Sequence, residues 1–459
     1  MRILRLIANN LLVFLVHKEQ NMLLMLLILF NIKEKNKIFF SRPAGRITIL
    51  ALDCEKYRGD LDVLSSHTGI RLLFIKQNPL GWLIKPFYSE LDLVRYINAK
   101  KNSKDAISHK KAFNFMRQFL LVFYKHVSVD CVTTVNYRYP EDYNWAKASD
   151  SLGVPFIMLY RECLLASNRL YDRVVLRKKQ EFGKFHGSHI IVHNDVCKQA
   201  FIDSGYISSN KISVAGALRM DSFIKNNKNN KENKIKKQYS NKNIFILFYF
   251  PHNHDLFGEQ NSNVKLRLPD KYKYHDKVWG GRDKLFIDLH NTVIELAVEH
   301  PNIEFIIKPK QVMVDNKSWD FYKDVIRKSD VNVENLSNYK VDINLDVSKN
   351  IISSSVVCAL QSSVVLESAF AGKRVILPVF YNFLNAPHSN DFFWKDDLEL
   401  FDIVTNKTTF KKKFKDILDN PDVPKSIQCK RMRLFKKWFN SASGNSLDEY
   451  YNIIKNVVQ

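Results

Sequence analysis

The sequence predicts an α/β protein made of two doubly wound halves, with an apolar, basic N-terminal segment and basic C-terminal helices. Three observations predict it. Short runs rich in β-branched residues alternate with helix-length stretches over residues 45–224, and again over 244–405. Several runs are apolar throughout, which suits strands buried in a parallel sheet with crossover helices. Polar turns follow them, where ligands of such sheets bind beyond the strands' C-terminal ends.

Residues 1–44 carry two apolar runs, Ile3–Val16 (interrupted by Arg5, Asn9 and Asn10) and Met22–Phe30. Neither reaches the roughly 18 to 20 residues that span a bilayer, and no small-residue cleavage site follows the first. Arg2, Arg5, Lys18, Lys33, Lys35 and Lys37 flank them. A helix lying in a membrane interface fits this pattern; a helix packed on the first domain, or a start codon placed too far upstream, fits it too.

In the first half, Arg46–Leu52 reads as a buried strand that ends at Asp53 and Glu55. Further strands are expected at Arg71–Ile75, Cys131–Val135, Val154–Leu159, Ser188–Val192 and Ile212–Val214. Helical stretches fall at about 104–126 and at Trp145–Leu152. Residues 225–243 are almost devoid of apolar side chains and read as a solvated linker or loop. The second half offers strands at Ile244–Phe250, Ile303–Ile307 and Arg374–Leu377, and short apolar pieces at Asn350–Ile352 and Val356–Leu360. Helices are expected at Lys284–His300 and Ser363–Gly372. Residues 406–459 read as a basic helical tail, and no repeat of 20–50 residues is present. Two Rossmann-like domains facing each other across a cleft is the architecture this predicts.

Composition narrows the class. Of 459 residues, 46% are apolar and 25% charged, which excludes disordered or collagen-like chains. Cysteines at 54, 131, 163, 197, 358 and 429 form no CxxC and have no zinc-like spacing with histidine. Reduced thiols of a cytosolic protein, with no metal, are expected. Lys plus Arg is 70 against 47 Asp plus Glu, a net +23, which points to nucleic acid or an anionic membrane, or to codon bias in a chain crowded with Asn and Ile.

The surplus is localised. Residues 1–40 hold six basic against two acidic residues, 225–242 seven against one, and 407–437 eleven against three. That is 18 of the 23 excess charges, leaving an α/β body expected to be close to balanced. No nucleic-acid-binding motif accompanies it, so a nucleic-acid-binding protein is the rival from another class, and the inner face of the cytoplasmic membrane is the expected location.

Three motifs carry the chemistry. In Gln361–Leu377, Ser362 and Ser363 suit the start of a short helix, where hydroxyls and free N–H groups bind phosphate. Glu367 lies four residues beyond Ser363, suited to sugar or ribose hydroxyls, and Gly372 closes the helix. In Ile306–Gln311, Lys308 and Lys310 follow a strand directly and place two cations at its C-terminal end. In Val214–Ser222, Gly216 allows a tight turn, and Arg219 and Asp221 are placed to pair with each other or to hold a ligand. His252 and His254 follow the first strand of the second half and are expected at the cleft.

These motifs, with Ile191–Gly205 and Ser151–Glu162, resemble GT-B glycosyltransferases of bacterial surface-polysaccharide synthesis, the capsule and lipopolysaccharide enzymes. Relatives of that group include CDP-glycerol glycerophosphotransferases and UDP-N-acetylglucosamine 2-epimerases. Gly216, Arg219 and Asp221 match a "TGNPRFD"-like segment, with Ala-Leu in place of Asn-Pro. Lys308-Pro309-Lys310 stands at the "RPHP"-like position without its histidine. Ser362, Ser363, Glu367, Gly372 and Lys373 match a donor-binding "SSxxxEAxxxGKPVI"-like segment, with Arg374 in place of its proline.

The resemblance, covering about 130–380, implies a transferase that moves a sugar from a nucleotide-sugar donor to a glycan or lipid-linked acceptor, beside other polysaccharide-assembly enzymes. Two serines next to a basic site also resemble users of CMP-activated acidic sugars such as Kdo or sialic acid. A CDP-glycerol-type glycerophosphotransferase is the alternative. Donor binding is expected at Lys308, Lys310, Gln361, Ser362, Ser363 and Glu367, with lysines in place of a metal and no cofactor. The general base is expected among Glu162, the first choice, Asp53, Glu55 and His193.

Overall fold

A computed structural model describes residues 11, 13–16, 18–35, 45–137, 139–236, 243–248, 282–309, 317–343, 346–385, 387–440 and 443–459. The chain divides into two compact units. Unit 1 takes Met1–Cys163, Val174–Ser222 and Trp438–Gln459; unit 2 takes Leu164–Arg173 and Phe223–Lys437.

Unit 1 runs through helix α1 (Asn21–Leu29), strands β1 (Lys33–Glu34), β2 (Ile47–Leu52) and β3 (Ile70–Ile75), helix α2 (Lys104–His126), β4 (Cys131–Thr134), α3 (Pro140–Ser151), β5 (Phe156–Leu159), β6 (His189–Val192), α4 (Asp195–Asp203) and β7 (Ile212–Val214). The sheet order is β1-β3-β2-β4-β5-β6-β7. Among the described strands of this sheet only β1 is antiparallel, pairing Lys33 with Phe74. The six parallel strands therefore lie in the chain order 2-1-3-4-5-6, with the reversal between β2 and β4. Strands β4, β5 and β6 are buried along their whole length, which is why they lack the apolar–polar alternation of half-exposed strands. Helix α2 is capped by Ser103, whose hydroxyl accepts the Ala106 N–H at 3.2 Å. It buries Ala112, Phe115, Met116, Phe119, Leu120 and Phe123, at helical spacing. Trp145 of α3 meets Phe119 and Phe123 edge-on.

Helix α5 (Leu218–Lys236) starts in unit 1, and the unit boundary falls inside it. The stretch expected to be a linker is therefore helical to Lys236. Lysine is a good helix former and no Pro or Gly falls between 218 and 236, so a polar composition does not break the helix that Leu218 begins.

Unit 2 holds β8 (Asn243–Phe248), α6 (Arg282–Glu299), β9 (Ile303–Lys308), β10 (Tyr339–Val341), α7 (Val347–Ser353), β11 (Val356–Cys358), α8 (Val364–Phe370), β12 (Arg374–Pro378), β13 (Asp402–Val404), α9 (Lys407–Asp419) and most of α10 (Lys425–Phe439). Its six strands are all parallel, in the order β10-β9-β8-β11-β12-β13. In chain order this is 3-2-1-4-5-6, the Rossmann arrangement, with the reversal between β8 and β11. Both units are thus Rossmann-like α/β folds.

The expected C-terminal tail divides. Helices α9 and α10 pack on unit 2, whereas the last helix, α11 (Ser446–Val458), belongs to unit 1. Tyr450 and Ile454 of α11 join a core cluster with Ile49, Leu61, Ile191 and Leu218. All six cysteines are free. Among the described residues no helix is long and apolar enough to cross a membrane.

Candidate functional site

In unit 2 the crevice belongs at the C-terminal ends of β8 and β11. The loop after β11 is held by side-chain hydrogen bonds. The Gln361 side chain donates to the Asp391 carbonyl at 3.2 Å and accepts the Phe393 N–H at 3.1 Å. Trp394 donates its indole N–H to the Leu360 carbonyl at 2.7 Å, and Asp391 pairs with buried Arg169 at 3.4 Å. Gln361 therefore clamps its own loop. Ser362 accepts the Val364 N–H at 3.4 Å, and the Ser363 hydroxyl donates to Glu367 at 3.1 Å. Glu367 is buried on α8, beneath the turn rather than at an open mouth, and it orients Ser363. Lys373, matched to the same motif, is buried and donates to the Ile352 and Ser354 carbonyls, both at 2.6 Å, closing the end of α7.

Lys308 ends β9, on the other side of β8 from β11. Its ammonium donates to the carbonyls of Pro309 (2.7 Å) and Ile343 (2.9 Å). Burial lowers its pKa, against the opposing pull of Asp342. Lys310, His252 and His254 lie outside the described residues. Unit 2 also holds a cavity of about 560 Å³ past the ends of β12 and β13, lined by Asp288, Tyr381, Asn382, Asn385, Asn406 and Lys407 among others. Sequence reading gave no sign of it.

In unit 1 the reversal lies between β2 and β4. Asp53, the first residue after β2, adopts a left-handed conformation (φ +52°) and leads into the 3₁₀ turn Cys54–Tyr57. Its buried carboxylate pairs with Lys56 at 2.5 Å. The Lys56 ammonium also lies 3.6 Å from the centre of the Tyr139 ring. After β4, Pro140 opens α3, and Glu141 and Asp142 fill its first turn, both buried. Thr134 donates to Asp142 at 3.3 Å. Burial raises the pKa of Asp53, and Lys56 opposes the rise. Asp142 is raised well above the usual carboxylate range by burial and then by Glu141, with Lys56 opposing. The Asp53–Lys56 ion pair and the buried Glu141 and Asp142 thus lie just past β2 and β4, with Asp142 feeling the charges of the other three. Sequence reading found Asp53 and missed the other three. An acidic pair on a Pro-started helix just past a strand was the available signal. Among the described residues no group of three His, Cys, Asp or Glu is arranged to hold a metal ion.

The remaining candidates are dispersed. Glu162 is exposed at the end of unit 1's first segment. Its neighbour Arg161 pairs with buried Asp60 at 2.6 Å and donates to the Lys56 carbonyl at 2.7 Å, so Arg161 is turned toward the Asp60 side. Glu55 is exposed and paired with Lys76 at 3.3 Å. His193 is buried.

Asp221 proves to be a structural anchor. It accepts the N–H groups of Ser446 (3.2 Å) and Leu447 (2.8 Å) and so fixes the start of α11. Gly216 (φ +75°) makes the expected turn, and its carbonyl accepts the Tyr450 hydroxyl at 3.2 Å. The Arg219 N–H reaches Asp60 at 3.1 Å, and its guanidinium lies over Phe439. The Gly216–Asp221 motif therefore seats the C-terminal segment, where a ligand contact had been an open expectation.

No family model and no curated protein matches the chain. Among solved structures it is similar to the UDP-GlcNAc 2-epimerase of Neisseria meningitidis bound to UDP-GlcNAc, at 14% identity over 89% of this chain and 100% of that one, with a TM-score of 0.47. It is similar to the UDP-GlcNAc 2-epimerase of Methanocaldococcus jannaschii at 12% identity, over 90% and 99%, with a TM-score of 0.49. It is similar to the wall teichoic acid polymerase TagF at 12% identity, over 90% and 88%, with a TM-score of 0.49. These are enzymes of the kinds that the sequence motifs resemble. At such identities the fold assignment rests on the two strand orders themselves: the chain is a pair of Rossmann-like α/β units.

Proposed function

We propose that this chain is a glycosyltransferase of the GT-B kind. In this reading it moves a sugar from a nucleotide-sugar donor to a growing surface polysaccharide or lipid-linked glycan at the inner face of the cytoplasmic membrane. One observation carries the reading: the loop beside the switch point of a 3-2-1-4-5-6 sheet presents Ser362 and Ser363, backed by buried Glu367. Hydroxyls and backbone N–H groups there suit the donor phosphates, and Glu367 suits a hydroxyl pair once Ser363 turns to the ligand. Lys308 and Lys310 neutralise the leaving phosphate, a role that asks for no metal or cofactor. The base is a carboxylate of unit 1. Asp53 suits it better than exposed Glu162 or Glu55, because burial strengthens a carboxylate as a base.

The test is a donor screen that measures nucleotide release from UDP-, GDP- and CMP-sugars and from CDP-glycerol, with acceptor glycan present. Release from a nucleotide-sugar supports the reading, and release from a CMP-sugar supports an acidic sugar as cargo. Release from CDP-glycerol alone replaces it with glycerophosphate transfer. Silence with all donors, together with a salt-sensitive shift of RNA or DNA, replaces it with nucleic-acid binding.

A further inference from the structure

Helix α1 is apolar on every side. Leu24, Met25 and Ile28 are buried, and α1 packs against α2. The opposite side is left bare: Met22, Leu23, Leu26 and Phe30 are each at least 43% exposed, as are Leu11 and Phe14 in the turn of helix before it. An exposed apolar patch of this kind marks an interaction surface.

The partner's chemistry is written on α2 and on the flanks of α1. Residues 100–126 hold seven Lys and Arg against a single Asp, so this part of the body is strongly basic rather than balanced. Lys104, Lys111 and Lys125 stand in register along α2 at spacings of seven and fourteen residues, Lys110 and Arg117 at seven, and all five are exposed. Ile107 and Leu121 are exposed among them. Exposed Lys18 and Lys33 bracket α1. An apolar patch rimmed by cations fits an anionic bilayer, with acyl chains under the apolar face and acidic headgroups against the lysines.

We infer that the outer face of α1, together with the basic stripe of α2, is the surface by which this protein docks on an anionic membrane. Phe30, Leu23 and Leu26 enter the interface, and Lys110, Lys111 and Arg117 meet the headgroups. The inference deepens the membrane-proximal role given above, but the surface itself requires neither donor nor acceptor.

The experiment is co-sedimentation of the full chain with phosphatidylcholine vesicles and with vesicles containing 30% phosphatidylglycerol. Binding to the anionic vesicles and not to the neutral ones is expected. Lys110→Glu with Lys111→Glu and Arg117→Glu should weaken it at least tenfold, and Leu23→Glu with Leu26→Glu should do so even at low salt. In a Phe30→Trp variant, indole emission should be quenched by bromine-labelled lipid chains. Transfer to a water-soluble acceptor should be unchanged in the surface variants, which separates failure of the surface from failure of the enzymatic reading. Three outcomes overturn the inference: no binding to anionic vesicles at low salt, undiminished binding by both sets of variants, or a dimer of the wild-type chain that Leu23→Glu with Leu26→Glu dissolves without vesicle binding by either form.

Discussion

Both units reverse their strand order near the middle of a parallel sheet, yet they furnish the switch point with opposite chemistry. Unit 2 places Ser362, Ser363 and buried Glu367 past its reversal; unit 1 places the Asp53–Lys56 ion pair and buried Glu141 and Asp142 past its own. One topology therefore carries hydroxyls over a buried carboxylate in one half and a buried acidic group beside a lysine in the other. What differs is the side chains in the first turn after each strand, which the sheet positions without constraining their type.

The contrast can be broken, from the largest expected effect to the smallest. Glu367→Ala removes the partner of Ser363, and Lys308→Ala removes the cation at the end of β9. Each should abolish nucleotide release while circular dichroism stays that of the wild type; full activity in both would remove unit 2's crevice from the reaction. In unit 1, Asp53→Asn should lower kcat by about 10² to 10⁴-fold, the usual range for a lost general base, and Glu162→Gln should leave it nearly unchanged. The reverse pattern in the same steady-state assay would return the base to Glu162.

Asp221→Ala leaves two N–H groups at the start of α11 without their acceptor and should cost about 1–3 kcal/mol in urea unfolding. Activity per folded molecule should persist, because the residue anchors rather than reacts.

The smallest effect concerns Asp142. Its folded pKa lies above its unfolded value, near 3.9, so its contribution is neutral at pH below the unfolded value and becomes a cost that grows as pH rises above it, reaching its full size above the folded value. Asp142→Asn should therefore raise the melting temperature by about 3 °C at pH 7 and give no gain near pH 3.5, as followed by calorimetry. An equal gain at both pH values would deny that this carboxyl titrates upward.

The fold was largely legible because its strands are short, mainly apolar runs rich in β-branched residues: Ile47–Leu52, His189–Val192 and Ile303–Lys308 announce themselves. Composition misled where it was read in place of propensity, so lysine- and asparagine-rich 225–236 looked like a linker and is helix. Pairings distant in sequence were invisible. Nothing local in Asp221 points to Ser446, and nothing in Lys373 points to the Ile352 carbonyl. The site was legible in one direction only. Residues at or shortly past strand ends, such as Asp53, Lys308 and Ser362, could be found by position. Lys56, Glu141 and Asp142 became neighbours only when β2 and β4 were laid side by side.

The return of α11 to unit 1 has a consequence for how the chain is made. Unit 1 begins at the N-terminus, but Tyr450 and Ile454 fill part of its core. On the ribosome this half cannot complete its packing until all of unit 2 and then residues 446–458 have been synthesised. A nascent chain halted after unit 2 should therefore carry an unfinished N-terminal half that chaperones and proteases recognise, although every strand of its sheet has already been translated.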